Sequence, residues 1–343
     1  MLHKTKANFL LNVAHPMKTF KVTDCRLGFT LTGLDMVAVR INEQLYMVDV
    51  EVAGQKGFIA SYVLKGEKAI IVEAGPISSV QNLIHGLEEL NIKADEVAYV
   101  AVSHIHLDHA GGVGPLLRCF PKAKVVVHER GAAHLANPDK LWQQAQVELG
   151  PLADIYGKPE PVPLDRILVA KDGMILDAGS GARLKVIETV GHASHHLSYY
   201  EPLSNGVFTG DSAGIYLSKI NVVVPTTPSP FRLNLALTSI EKMVDLKPSK
   251  LYYTHFGVSG NAVERLMAYA GQLKLWARVA KETLEKGESL KFMRQKIIEY
   301  DMATRIALEH VKANQVFNEE SLLRSMSGVL DYVKNYGLNI IGI

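Results

Sequence analysis

His104-Ile105-His106-Leu107-Asp108-His109 places four side chains of metal-binding type within six residues. The stretch follows residues 97–102 (Val-Ala-Tyr-Val-Ala-Val), a short apolar run that reads as a buried strand. If the chain is still extended where this stretch begins, His104 and His106 point to the same side and can aim at one ion. Asp108 and His109 then fall on the turn that follows, within reach of a second ion. Imidazole and carboxylate together suit zinc, iron or manganese. Ala110-Gly111-Gly112 comes next, and these residues are expected to let the backbone bend tightly beneath the ligands. A lone histidine usually reads as a core or surface residue. Four ligand-type residues at this spacing do not fit that reading.

Three later segments carry further residues of the same kind. Gly191-His192-Ala193-Ser194-His195-His196 follows the strand-like run 184–190. Thr209-Gly210-Asp211 follows the apolar pair Val207-Phe208. Tyr252-Tyr253-Thr254-His255-Phe256-Gly257 closes another strand-like run. In type and order, the four segments resemble the metallo-β-lactamase superfamily. The first matches its HxHxDH motif, the second its GHTxGH segment and the third its GD motif, and the last supplies a closing histidine. The resemblance implies an α/β fold: an αββα four-layer sandwich with the metal site at one edge of its two sheets.

It also implies roles. One metal site would be His104, His106 and His192, and the other Asp108, His109 and His255. Asp211 would bridge two divalent ions with a water or hydroxide between them. Zinc is the first expectation for the ions, and iron and manganese are the alternatives. Asp108 and Asp211 are the residues expected in catalysis, Asp108 mainly as a ligand that also helps to move a proton. His196 matches a family position that is not usually a ligand, and is expected to orient a ligand or touch substrate. His195 reads equally well as an exposed loop residue. The run Ala69-Ile70-Ile71-Val72-Glu73-Ala74-Gly75 looks like the family's strand ending in Asp-x-Gly, with Glu73 in place of the Asp that supports the metal loop. The longer side chain is expected to change local geometry and leave the fold intact.

The chain has 343 residues, of which 48% are hydrophobic, enough for a large core and an appended region. A net charge of +2 gives no electrostatic case for nucleic acid or an anionic membrane. Cys25 and Cys119 are too few and too far apart for a disulfide framework, which fits a cytoplasmic protein. No apolar run reaches the roughly 20 residues of a membrane span. Phe9-Leu10-Leu11 is interrupted by Asn12, so no signal peptide is read. Residues 1–19 are expected to form a leader, flexible or preceding an alternative start at Met17. His3 and His15 within it are not expected to be ligands.

Residues 20–259 read as the metal-binding domain. Short apolar or alternating runs at 36–41, 45–52, 57–64, 69–72 and 124–127 predict strands. Residues 78–90 predict a helix capped by Ser78 or Ser79, with Val80, Leu83, Ile84 and Leu87 on one face. The strand-rich texture returns over 183–200, and a helix is predicted over 234–244. Two segments are candidates for specificity. One is 137–166, a potential helix and cover beside the metals. The other is 215–233, where three prolines stiffen a loop and Tyr216 is placed to reach substrate. From residue 260 to 343 the pattern is all helical, with helices predicted over 263–284, 290–311 and 319–336. This region is expected to cover the site, support a homodimer or stabilise the sandwich.

The resemblance implies a dinuclear hydrolase whose metal-bound hydroxide attacks an ester-like bond, a lactone or thioester, in a small molecule. A phosphodiesterase and an iron-dependent sulfur dioxygenase are the alternative reactions, and a non-catalytic binding module ranks last because all seven ligands are present. The expected partner is a small-molecule substrate, with no nucleic acid and no membrane.

Overall fold

A computed structural model describes residues 36–312, 314 and 316–338. The expected leader, His3, His15, Met17 and Cys25 lie outside the described residues. Strands β1 (Ala38–Arg40), β2 (Leu45–Asp49), β3 (Ala60–Lys65) and β4 (Ala69–Val72) pair antiparallel in sequence order. β5 (Val97–Ala101), β6 (Lys124–His128) and β7 (Ile167–Ala170) extend the same sheet in parallel, giving seven strands. Parallel neighbours need crossovers, and the connections carry α1 (Val80–Glu89), α2 (Leu107–Ala110), α3 (Val113–Cys119), α4 (Glu129–Ala136), α5 (Asp139–Leu149) and α6 (Pro151–Tyr156).

The second sheet has six strands. They are β8 (Ile175–Asp177), β9 (Arg183–Glu188), β10 (Leu197–Glu201), β11 (Gly206–Phe208), β14 (Lys250–Tyr253) and β15 (Gly257–Ser259). A separate ribbon pairs β12 (Ile215–Leu217) with β13 (Val222–Val224). α7 (Leu233–Asp245) precedes β14, and α8 (Ala262–Glu285), α9 (Leu290–Tyr300), α10 (Met302–His310) and α11 (Glu319–Tyr336) follow β15.

Side-chain alternation sets the layers. Tyr62 and Leu64 of β3, Ile70 and Val72 of β4, and Leu184, Val186, Tyr199 and Phe208 of the second sheet share one buried cluster between the sheets. On β14, Tyr252 joins that cluster, whereas Leu251 and Tyr253 face outward into a second one. The second cluster packs the outer face of this sheet against α7, α8, α9 and α11 through Met243, Leu273, Trp276, Ile297 and Val329. α1 and α3 cover the outer face of the first sheet. Each fully buried Leu, Ile or Phe contributes about 1.5–3 kcal/mol to holding these layers. The helix–sheet–sheet–helix sandwich is the architecture expected from the motifs, with helices following it at the C-terminal end. Two tyrosines lock the sheets together: Tyr62 Oη donates to the Tyr253 carbonyl at 2.7 Å, and Tyr199 Oη donates to the Val102 carbonyl at 2.6 Å.

Three local expectations are corrected. The single helix predicted over 290–311 is two helices, α9 and α10, divided at Asp301. The buried Asp301 carboxylate accepts from Trp276 Nε1 at 2.8 Å, Gln272 Nε2 at 2.8 Å and Thr304 Oγ1 at 2.7 Å, and also caps α10 through Thr304 N–H. Ser79 occupies the N-cap position of α1 but makes no capping hydrogen bond, because a 3-10 turn over Ile77–Ser79 leads into the helix. Gly111 and Gly112 have ordinary helical φ values of −57° and −82°, so no unusual bend requires them. What Gly112 supplies is room: a Cβ there would meet Val80 Cγ2 at 2.5 Å and the Ala74 carbonyl oxygen at 2.8 Å. Among the described residues, no helix is long and apolar enough to cross a membrane.

Candidate metal centre

The ligand-type residues all lie just beyond strand ends on one edge of the sandwich. His104 and His106 follow β5, and Asp108 and His109 ride on the short helix α2. His192 follows β9, Asp211 follows β11 and His255 follows β14. The seven residues expected as ligands converge here in three overlapping groups. His104, His106 and His192 form one, Asp108, His109 and His255 a second, and His104, His109 and Asp211 a third, each with its ligand atoms within 4.8 Å of one another. Asp211 lies between the first two groups. Its Oδ2 is 3.3 Å from His192 Nε2, and its Oδ1 is 3.4 Å from both His109 Nε2 and His255 Nε2. Asp108 Oδ2 is 3.6 Å from His255 Nε2 and 3.8 Å from His109 Nε2.

The far side of the rings decides what the near side can do. His192 Nδ1 donates to the Thr226 carbonyl at 2.8 Å, which leaves Nε2 with a lone pair facing Asp211. His109 Nδ1 donates to Glu73 Oε1 at 3.2 Å, which does the same for its Nε2. Ser103 Oγ lies 2.9 Å from His104 Nδ1. His109 Nε2 and Asp211 Oδ1 are buried with no hydrogen-bond partner. Burying lone pairs and a carboxylate oxygen without donors costs several kcal/mol. A cation at their meeting point removes that cost, so the donor set fits divalent metal. The set has nitrogen and oxygen donors and no thiolate, as expected for zinc, iron or manganese at an open site.

Electrostatics follow from the same packing. Burial, and then the neighbouring imidazoles, push His104 and His106 well below the usual histidine range. Burial also pushes His109 down, but Asp211, Asp108 and Glu73 outweigh it and hold the group well above that range, so an ion at Nε2 would take the place of a proton there and leave the lone pair to the metal. Burial would raise Asp211, yet His109, His255 and His192 hold it well below the usual carboxylate range.

Glu73 is 1% exposed and sits at φ +69°, a left-handed conformation that costs a non-glycine residue about 1–2 kcal/mol. Besides His109, its carboxylate takes the Ser103 N–H and the Thr254 hydroxyl, each at 3.2 Å. The longer acid thus ties together the β4, β5 and β14 ends. His196 lies behind Asp211. Its Nε2 accepts the Asp211 N–H at 3.0 Å while Nδ1 donates to Thr189 Oγ1 at 2.9 Å. Tyr216 is elsewhere: its ring packs at a tilt against Tyr253 with centroids 5.0 Å apart, and its hydroxyl donates to Asn221 Oδ1. The neighbouring Ile215 takes the place by the site.

A cavity of about 870 Å³ opens over the cluster. Phe58, its ring tilted against His255 with centroids 5.0 Å apart, and Ile105 form apolar walls. The segment 137–166 supplies α5 and α6, whose Leu141, Val147, Leu152 and Tyr156 line one side. α11 lines another through Arg324, Ser325 and Asp331. The proline loop closes a third at Pro228-Ser229-Pro230. His195 also faces the cavity, with burial and then His192 pushing its pKa down to about 4. Sequence reasoning missed Tyr156, Arg324, Thr226 and the placement of His195. Tyr156, Arg324 and Thr226 stand in no metal-type motif, an arginine on a helix reads as a solvated face, and His195 falls at a position of its motif with no assigned role.

Against known proteins, the family model described as the metallo-beta-lactamase superfamily matches residues 54–255. A metallo-beta-lactamase fold-containing protein of Sulfurisphaera tokodaii is 33% identical over 202 residues, covering 57% of this chain and 72% of that one. An atrochrysone carboxyl ACP thioesterase of Claviceps purpurea is 27% identical over 195 residues, 56% of this chain, which spans 49% of that protein. In fold, the chain resembles a metallo-beta-lactamase family protein of Thermus thermophilus, with a TM-score of 0.63 and 20% identity over 87% of this chain and 95% of that one. With the family model matching more than half its length and all four motif segments gathered at one sheet edge, the chain belongs to the metallo-beta-lactamase superfamily.

Proposed function

We propose that this protein is a dinuclear metal-dependent hydrolase of a small-molecule ester-like bond, with a thioester preferred over a lactone. The observation that carries the reading is Asp211, whose two oxygens face the two histidine groups separately. His104, His106 and His192 would hold one ion and Asp108, His109 and His255 the other, with Asp211 shared. Bound there, divalent ions supply Lewis acidity and bring the pKa of a coordinated water from 15.7 to about 7.

The chain's own residues supply order and access. Glu73 and Thr226 fix the rings of His109 and His192, and His196 fixes the backbone that carries Asp211. Of the three site carboxylates, Asp108 is the one that solvent reaches most, with its side chain 17% exposed, so its Oδ atoms are placed to pass a proton between cavity and water. The cavity volume falls in the range of about 300–1,000 Å³ that suits small ligands. The thioester preference is supported by the thioesterases among the relatives.

The test is elemental mass spectrometry of protein purified without added metal, followed by assays on thioester, lactone and phosphodiester panels. Two metals per chain with thioester hydrolysis lost on chelation and restored by metal is the expected result. One iron per chain with oxygen uptake on persulfides and no hydrolysis would overturn it.

A further inference from the structure

The wall of the cavity formed by α11 holds a cation that the proposed reaction does not use. Arg324 is half-buried and lines the cavity. Its Nη2 donates to Ser321 Oγ at 3.1 Å, which tethers the guanidinium one turn into the helix. A guanidinium carries five N–H donors in a rigid fork. That one bond is the only hydrogen bond it makes among the described residues, and no carboxylate there comes within ion-pair distance of it. Glu148 and Asp331 also line the cavity, neither of them ion-paired to Arg324.

Position joins this cation to the metal centre. Tyr156 is a buried cavity residue that feels charges from both sides. Burial raises its pKa most. Asp108 raises it further, Arg324 opposes, and Asp211 adds to the rise. The Tyr156 phenol, the Arg324 guanidinium and the carboxylates of Asp108 and Asp211 line the same cavity, so a molecule lying in it can place one end over the ligand cluster and another group against Arg324. The wall is also fixed. Thr227 Oγ1 donates to the Ser325 carbonyl at 2.7 Å, one residue from Arg324 and one from the Thr226 carbonyl that holds His192.

We propose that Arg324 is a specificity residue that pairs, through its forked N–H groups, with an anionic group on the substrate, a carboxylate or a phosphate, remote from the bond that is cleaved. A fork bonded only to Ser321 among the described residues, facing the cavity, has N–H donors left to match such a group in charge and in planar or tetrahedral oxygen geometry. The substrate class narrows from any small thioester to an anionic one. This inference rests on the hydrolase reading, since it takes the ligand cluster as the place of reaction.

The experiment separates the two. Three short acyl thioesters of equal length, ending in a carboxylate, a phosphate or a neutral amide, are assayed with the metal-loaded full chain. Their thioether analogues, which cannot be hydrolysed, are titrated calorimetrically. Wild type is expected to prefer one anionic ester over the amide by at least about tenfold in kcat/KM, and the preferred ester distinguishes carboxylate from phosphate. Arg324→Gln should remove that preference through KM, leaving the amide ester within about threefold, and Arg324→Lys should fall between. The thioether titrations should show the same loss. If nothing is hydrolysed yet the anionic thioether binds in an Arg324-dependent way, the hydrolase reading fails and the anion site stands. If the esters are hydrolysed equally and Arg324→Gln changes neither rate nor binding, the anion site is overturned and the hydrolase reading stands.

Discussion

The floor of the cavity and the helix α5 beside it are built in opposite ways. On the floor, His104, His109 and Asp211 are almost fully buried, and Glu73, Thr226 and His196 each hold a ring or backbone group from behind. α5 has no buried residue at all, and its Val147 is 83% exposed. α11 stands between these extremes. It buries Leu322, Met326, Val329 and Val333 and packs so tightly on the proline loop that a Cβ at Gly328 would lie 1.9 Å from the Thr227 carbonyl oxygen. The gradient separates tasks. Geometry that must not move sits where packing and hydrogen bonds over-determine it, and surface that meets variable ligands sits where few contacts constrain it.

Four substitutions probe this gradient. Asp211→Ala removes the group shared by both histidine sets. Hydrolysis should fall by more than about a thousandfold while circular dichroism still reports a folded chain. Full activity would show that no shared carboxylate is needed. Glu73→Gln leaves shape but takes away the charge that His109 Nδ1 meets, so metal affinity in a chelator competition should weaken by about 10–100-fold. An unchanged affinity would mean that the acid serves the strand ends and not the ring. Gly328→Ala forces α11 away from Thr227. It should cost about 1–3 kcal/mol in denaturant unfolding and loosen metal binding through the adjoining Thr226 carbonyl. A stability loss without the metal effect would limit α11 to packing. Val147→Ser on α5 should change stability by less than about 0.5 kcal/mol. A large loss would place α5 with the floor.

Much of the floor was readable because each ligand sits next to a strand in sequence, and a strand end fixes where its next residues go. The four motif segments therefore carried both the fold and the seven residues that converge. Tyr216 shows where this kind of reading stops. It lies on β12, where side chains alternate, and a shift of one residue decides which face a side chain takes. Ile215 faces the cavity and Tyr216 the core. Asp301 breaks a continuous helical pattern because Trp276 and Gln272, far away in sequence, need its carboxylate. Arg324 was illegible for a similar reason. Its neighbours in sequence describe an ordinary amphipathic helix, and only the packing of α11 on the proline loop turns that face toward the site.

The ligand groups draw on both halves of the sandwich. His104 and His106 leave the first sheet and His192 leaves the second, just as Asp108 and His109 are met by His255. An ion that needs such a set can bind only when the two sheets are docked. Its binding free energy is then also docking free energy, about 2.7 kcal/mol at a free concentration one hundred times Kd. The lifetime of the protein in a cell would thus track metal supply.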